Sequence, residues 1–545
     1  YDPYPDYDSS AYKQKYDGDY VSCIGPRGVR LNESFEDWVT AYEGMSKSFP
    51  QPAMGSFDLL GLDSDVCFDR FGRFGPYGYV GDDETRAVTG WRKPSSVQWD
   101  NVEWGKLQHQ CLKLNKNRFD MNARDPLRPV LAEETLSSTS SASGTGISKR
   151  QRTAVLIRTM ATFAYLDNVK HNIRAIIQEL SLMSGGEYEV FLVVQVRDEN
   201  IPIFSDDMVY KATLEEAVPP EFQDMTILWN ENLMQLWYPQ IKDHWHIFES
   251  QWMPVQWFAQ THPEFDFYWN FEMDARYTGH WYHLLESLGD WAKKQPRKGI
   301  WERSERFYIP DYHGDYYTNF TGMVERRDKD LVWGAVPVKD ERIIPLGPTP
   351  PSSDPSQDSH KWGVGEDADL ITLLPMFDPT HSGYALKGDV FNYVQGEFTP
   401  RRTTIVTMYR VSKALLDIMH HENTHSGHGM GSEQWPLGAA LQHGLKAVYA
   451  PHPLVFDRQW KGQDLNMVFN PGPRGTSGET MKSPFGTFNE HNFIGGTWYY
   501  RADSAAMLYR RWLGWETTGV GGEEWEGIHG RFCLPGIMLH PIKAM

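Results

Sequence analysis

From residue 153 onward the apolar positions alternate between two patterns. Residues 153–159, TAVLIRT, form a short continuous apolar run suited to a buried strand. Residues 167–182 then place Val169, Ile173, Ile176, Ile177 and Leu180 at helical spacing. Asp167 or Asn168 can cap that helix, and Ser184-Gly185-Gly186 ends it. Residues 189–196, EVFLVVQV, predict a second buried strand. A strand, a helix and a strand in that order predict a right-handed crossover between parallel neighbours.

The alternation continues. Residues 224–229 suit a third strand, and residues 250–261 suit a helix. Residues 265–271, FDFYWNF, read as an aromatic strand that runs into Glu272-Met273-Asp274. A helix follows from about His280 to Lys294, and residues 402–419 predict a long amphipathic helix. The expected fold class is therefore α/β, an open twisted Rossmann-related sheet with ligands at the carboxyl ends of its strands.

Around this body, residues 153–460, the pattern weakens. Residues 1–20 are polar, acidic and rich in tyrosine, and read as an extended stem or arm. Residues 21–131 read as an irregular region packed on the body. Residues 132–152 hold a Ser/Gly-rich run followed by Lys149-Arg150-Gln151-Arg152, and read as a flexible, exposed linker. Residues 461–545 form a C-terminal extension in which Trp498, Tyr499 and Tyr500 are expected to pack on the body. Residues 343–360 read as a loop, and no internal repeat is evident.

Composition narrows the function classes. A formal net charge of −19 over 545 residues repels phosphate backbones and argues against nucleic-acid binding. Aromatic residues make up 14% of the chain, which suits stacking on sugar rings and equally suits a large core. The four cysteines, Cys23, Cys67, Cys111 and Cys533, allow two disulfides in an oxidising compartment, one of which could tie the chain ends to the body. Two Asn-x-Ser/Thr sequons, at Asn32 and Asn319, fit a secretory route. No run of about 18 apolar residues is present, so any membrane attachment is expected only through an anchor outside this sequence.

Glu272 and Asp274 carry the first candidate chemistry. Side chains two apart on an extended chain point to the same side, so both carboxylates can address one ion. Hard cations such as Mg²⁺ and Mn²⁺ prefer such oxygen donors, and a bound cation can neutralise a diphosphate leaving group. Arg276, two residues on, pairs with Asp274 or approaches a phosphate.

These features resemble the GT-A type of glycosyltransferase, whose nucleotide-binding half opens with strand–helix–strand and carries an Asp-x-Asp-like motif at a later strand end. Here the first acid is Glu. A second stretch, GSEQWPLGAALQHGLKAVYAPHPLVFDR over residues 431–458, resembles the acceptor-side helix and late histidine of the same type. More closely, residues 150–500 resemble a fungal secretory-pathway family long left as a domain of unknown function, on the stretches 270–276 and 449–456.

The resemblance implies a nucleotide-sugar donor, Mn²⁺ or Mg²⁺ on Glu272 and Asp274, and His452 as a further metal ligand. It implies Arg158, Thr159 and Asp198 at the nucleotide, and Glu433 as a base in an inverting reaction or an orienting acid in a retaining one. Trp362 and Trp435 become candidates for stacking on an acceptor sugar. The stem-like arm and an anchor outside this sequence suggest a lumenal, Golgi-type or secreted location.

Two other classes stay open. His421-Glu422-Asn423-Thr424-His425 matches His-Glu-x-x-His, the helical zinc motif of metallopeptidases. Ser426-Gly427 is expected to break the helix directly after it, whereas a zinc-binding helix of this kind continues through both ligands. A sugar-binding protein without catalysis, on a transferase-like fold, is the third reading.

Overall fold

The computed structural model describes residues 1–47, 49–81, 91–120, 148–339, 341 and 343–543. Nine strands matter for the site: β1 (Thr153–Met160), β2 (Tyr188–Gln195), β3 (Thr226–Trp229), β4 (Phe267–Glu272), β5 (Arg276–Tyr277), β6 (Leu370–Thr372), β7 (Tyr409–Ser412), β8 (Ala447–Tyr449) and β9 (Met538–Leu539). Seven of them form one sheet in the order β8-β6-β7-β4-β1-β2-β3. Every neighbouring pair in it is parallel except the two made by β7. The chain is thus mixed α/β around a mostly parallel seven-stranded sheet.

Both faces of the central strands are covered, which is why β1 reads as a continuous apolar run. Ala154, Val155 and Leu156 are fully buried, as are Val190, Leu192 and Val194 of β2. Helices α1 (Asp167–Ile176), α2 (Met253–Thr261), α3 (Trp281–Lys294), α4 (Lys413–His421), α5 (Trp435–His443) and α6 (Asp503–Trp512) supply much of the cover.

α1 continues into one π-helical segment, Ile177–Leu182, before Gly185 and Gly186 turn the chain at positive φ. A Cβ on Gly185 would lie 2.7 Å from the Arg118 guanidinium, so the turn needs glycine twice over. The N-cap of α1 is Leu166, without a side-chain cap; Asp167 instead sits in the first turn, where its charge favours the helix dipole.

Three expectations change. Residues 402–419 are not one helix: β7 occupies Tyr409–Ser412 and α4 begins at Lys413, with the Ser412 side chain capping it. β7 is held at the sheet centre by β4 and β6, so tertiary pairing overrides a locally helical pattern. The arm of residues 1–20 contains a helix, Ser10–Lys15, with Tyr7 and Tyr12 buried. Of the expected linker, residues 132–147 lie outside the described residues. Its basic end is tied down: Lys149 is exposed but pairs with Asp17, Arg150 pairs with Glu187 and Glu286, and Arg152 is buried and pairs with Glu189.

Two disulfides, Cys23–Cys111 and Cys67–Cys533, join the N-terminal region to itself and to the C-terminal extension. They fit an oxidising, secreted or lumenal setting. Among the described residues, no helix is long and apolar enough to cross a membrane. Trp498 and Tyr499 are fully buried, as expected of the extension.

Candidate functional site

β4 ends at the carboxyl edge of the parallel strands, where Arg158 of β1 is in register with Glu272. Asp274 follows in the turn between β4 and β5. β5 then pairs antiparallel with β9, Leu539 opposite Arg276, and this brings the next residue, His540, against the turn. The Ile542 amide donates to the Asp274 carbonyl at 2.7 Å and fixes the approach.

His540 Nε2 lies 3.1 Å from Glu272 Oε2 and 3.1 Å from Asp274 Oδ1. Its Nδ1 faces the Tyr499 carbonyl at 3.3 Å, a contact in which the ring nitrogen donates, leaving Nε2 for the carboxylates. Glu272 Oε1 accepts from the Thr407 amide at 2.7 Å and the Thr407 hydroxyl at 2.6 Å. Among the described residues, Glu272, Asp274 and His540 form the one group of three ligand-type side chains whose donor atoms all lie within 4.8 Å of one another.

Burial disfavours charge on all three groups, but their mutual contacts outweigh it. The His540 imidazole is pushed up to about 10 because Asp274 and Glu272 overcome the cost of burying its charge. The Asp274 carboxyl falls to about 2, where the nearby His540 charge and hydrogen bond overcome its burial. Glu272 is lowered as well, burial being offset chiefly by His540. A proton on His540 therefore holds the place of a cation between two carboxylates. Two carboxylate oxygens and an imidazole nitrogen suit Mn²⁺, and Mg²⁺ through the oxygens.

A cavity of about 220 Å³ opens beside Asp274, lined by Arg158, Thr159, Arg276 and Lys543 among others. Arg158 is anchored by Asn270 Oδ1 and by the Thr407 hydroxyl at 3.0 Å, and burial depresses its pKa. The Thr159 hydroxyl is buried beside that of Tyr165. Arg276 does not bridge to Asp274; its Nη1 donates to the Met273 and Ala275 carbonyls at 2.7 and 2.9 Å, and its charge acts on Asp274 through space.

Glu433 lies near enough to Glu272 for their charges to oppose each other. It precedes α5, and its carbonyl accepts from the Thr403 hydroxyl and the Thr404 amide. Its carboxylate accepts from the Tyr384 hydroxyl. Burial first, then Glu272 and Glu490, push this carboxyl up to about 8 against the hydrogen bond from Tyr384. The 403–407 segment thus contacts both acids, and its Val406 takes φ +63°, a strained conformation for a β-branched residue.

The remaining expected residues lie apart. His452 is not in the carboxylate group: its Nε2 meets the Leu373 carbonyl at 3.1 Å, and burial lowers its pKa to about 4. Trp498 stands edge-on to the His452 ring and also packs on His540. Asp198 is exposed and accepts from the Asn200 amide and side chain, closing its own turn. Trp435 is 3% exposed and offers no face to a sugar. Trp362 packs edge-on against Trp333 at 4.5 Å and beneath Arg297 at 5.1 Å.

The His-Glu-x-x-His segment continues helically, as a π-helical turn over Glu422–Ser426 closed by Gly427 at positive φ. His421 and His425 are exposed and stacked at 4.1 Å. Glu422 turns inward to His428 at 2.8 Å and His443 at 3.6 Å.

His540, Thr407, Tyr384 and Lys543 were not among the expected residues. The one signal for His540 is a His-Pro dipeptide after a short apolar run, a signal shared by His452.

The family model described as "Protein of unknown function (DUF3405)" matches residues 67–544. No curated protein matches the chain. The chain belongs to the DUF3405 family.

Proposed function

Starting from that membership, we propose that the chain is a metal-dependent glycosyltransferase of the GT-A type. It moves a sugar from a nucleotide-sugar to a hydroxyl of a glycan or glycoprotein. The observation that carries this reading is the convergence of Glu272, Asp274 and His540 at a parallel-strand end, beside a cavity lined by Arg158 and Arg276.

Glu272, Asp274 and His540 would hold Mn²⁺ or Mg²⁺, which when bound supplies charge neutralisation for a diphosphate leaving group. Arg158, Arg276 and Lys543 offer further positive charge to the phosphates, and Thr159 a hydroxyl. Glu433 serves the acceptor side. As its carboxylate it takes the proton of the acceptor hydroxyl while that oxygen bonds to the anomeric carbon and the bond to the diphosphate breaks. A carboxyl held near 8 is a stronger base than an ordinary one once ionised. On this reading the reaction belongs to the Golgi lumen.

The zinc peptidase reading has less support, because His421 and His425 stack at the surface while Glu422 faces the interior.

The test is nucleoside diphosphate release from a panel of nucleotide-sugars, with Mn²⁺ or with chelator. One donor is expected to turn over only with metal, and Asp274→Ala to abolish it. Metal-independent turnover, or turnover unchanged in Asp274→Ala, would sink the proposal.

A further inference from the structure

A second cavity, of about 640 Å³, lies in the C-terminal part of the fold, with Arg511 of α6, Arg458, Asp457 and Thr497 on its walls. Arg511 is the unusual group. Some buried arginines elsewhere have carboxylates, as Arg73 has Glu179, Arg118 has Glu187, Arg174 has Glu221 and Arg306 has Asp328, and others donate to backbone carbonyls, as Arg276, Arg303, Arg401 and Arg410 do. Arg510, the next residue along, pairs with Glu516. Among the described residues, the Arg511 side chain has no hydrogen-bond or ion-pair partner, and its Nε is buried without an acceptor.

This is not a side chain left loose. Gly519, at φ +82°, lies against the guanidinium so closely that a Cβ there would approach Nη2 to 2.7 Å. A partly buried cation fixed in place without a counter-charge costs stability, and the chain has 72 acidic residues from which a partner could have been drawn. Arg458, the second cation on the wall, lies over the Trp460 ring.

We propose that this cavity binds an anionic saccharide, with Arg511 taking its phosphate or carboxylate. The volume suits a small ligand larger than a bare anion. Phe456 and Leu508 give it apolar wall, while Asp457, Thr497 and Ser504 offer polar atoms for hydroxyl groups. The wall is also joined to the carboxylate–histidine cluster, because the Thr497 carbonyl accepts from the His540 amide at 3.0 Å. Binding here requires neither metal nor nucleotide, so it stands or falls separately from the transferase reading.

The test is calorimetric titration with mannose 6-phosphate, glucuronate, inorganic phosphate and neutral mannose, in chelator. Mannose 6-phosphate or glucuronate is expected to bind more tightly than phosphate or mannose, and the stronger of the two identifies the anion. Arg511→Met should weaken binding about 10- to 100-fold, Arg511→Lys less, and Asp274→Ala not at all. The melting temperature of Arg511→Met should equal or exceed that of wild type. A marked fall in it would mean that Arg511 is structural and would overturn the proposal. So would equal binding of phosphate and sugar phosphate, binding unchanged in Arg511→Met, or no binding of any probe.

Discussion

Among the described residues, two of the clusters that combine glutamate with histidine are built differently. At Glu272, Asp274 and His540, three donor atoms from a strand end, a turn and a distant segment converge beside an open cavity. At Glu422, His428 and His443, one buried carboxylate is clasped by two imidazoles, and the two histidines of the apparent zinc motif stack outside it. The second has the more specific spacing in sequence, yet only the first has the geometry of an ion site. Spacing supplies ligand types; convergence at a strand end decides whether they can act together.

The comparison can be broken most forcefully at the first cluster. Asp274→Ala and His540→Ala should each weaken Mn²⁺ binding by about 100-fold or more, read by calorimetry, with donor turnover falling in parallel. At the second cluster the expected loss is of stability. Glu422→Ala leaves His443 without its carboxylate and His428 with Glu341 alone, and should cost about 3 kcal/mol in urea unfolding, with Mn²⁺ binding intact. His428 and His443 hold the Glu422 carboxyl down to about 2 against its burial. Its contribution is therefore present above the ordinary carboxyl value of about 4.3 and disappears as pH falls towards 2. Glu422→Ala should accordingly unfold with less dependence on pH across that window.

A smaller effect concerns Glu433. A base held near 8 makes turnover rise with pH and level off above about 8. Tyr384→Phe removes the hydroxyl that stabilises the carboxylate, so the midpoint should move up by about one unit. A profile that stays in place would remove Glu433 from the acceptor side. Smallest of all, His421→Ala and His425→Ala should each change stability by less than about 0.5 kcal/mol and leave metal binding alone. Loss of bound zinc in either would reverse the comparison.

The parallel half of the sheet was legible because β1, α1 and β2 each carry an uninterrupted periodic signal, and their bounds agree with expectation to within one or two residues at most ends. β7 was not legible, since its four residues run straight into α4 and only β4 and β6 make them a strand. Glu272 and Asp274 were visible as acids two apart at a strand end. His540 was hidden by its sequence separation of 266 from Asp274, and by the equal claim of His452, which also follows a strand and precedes a proline. Which of the two reaches the acids depends on β9 pairing with β5, a contact with no local trace.

The most direct test is a Mn²⁺ titration of wild type, His540→Ala and His452→Ala, followed by calorimetry at fixed pH. The account predicts that His540→Ala loses affinity about 100-fold while His452→Ala binds as wild type. Loss in His452→Ala with His540→Ala unaffected would contradict it.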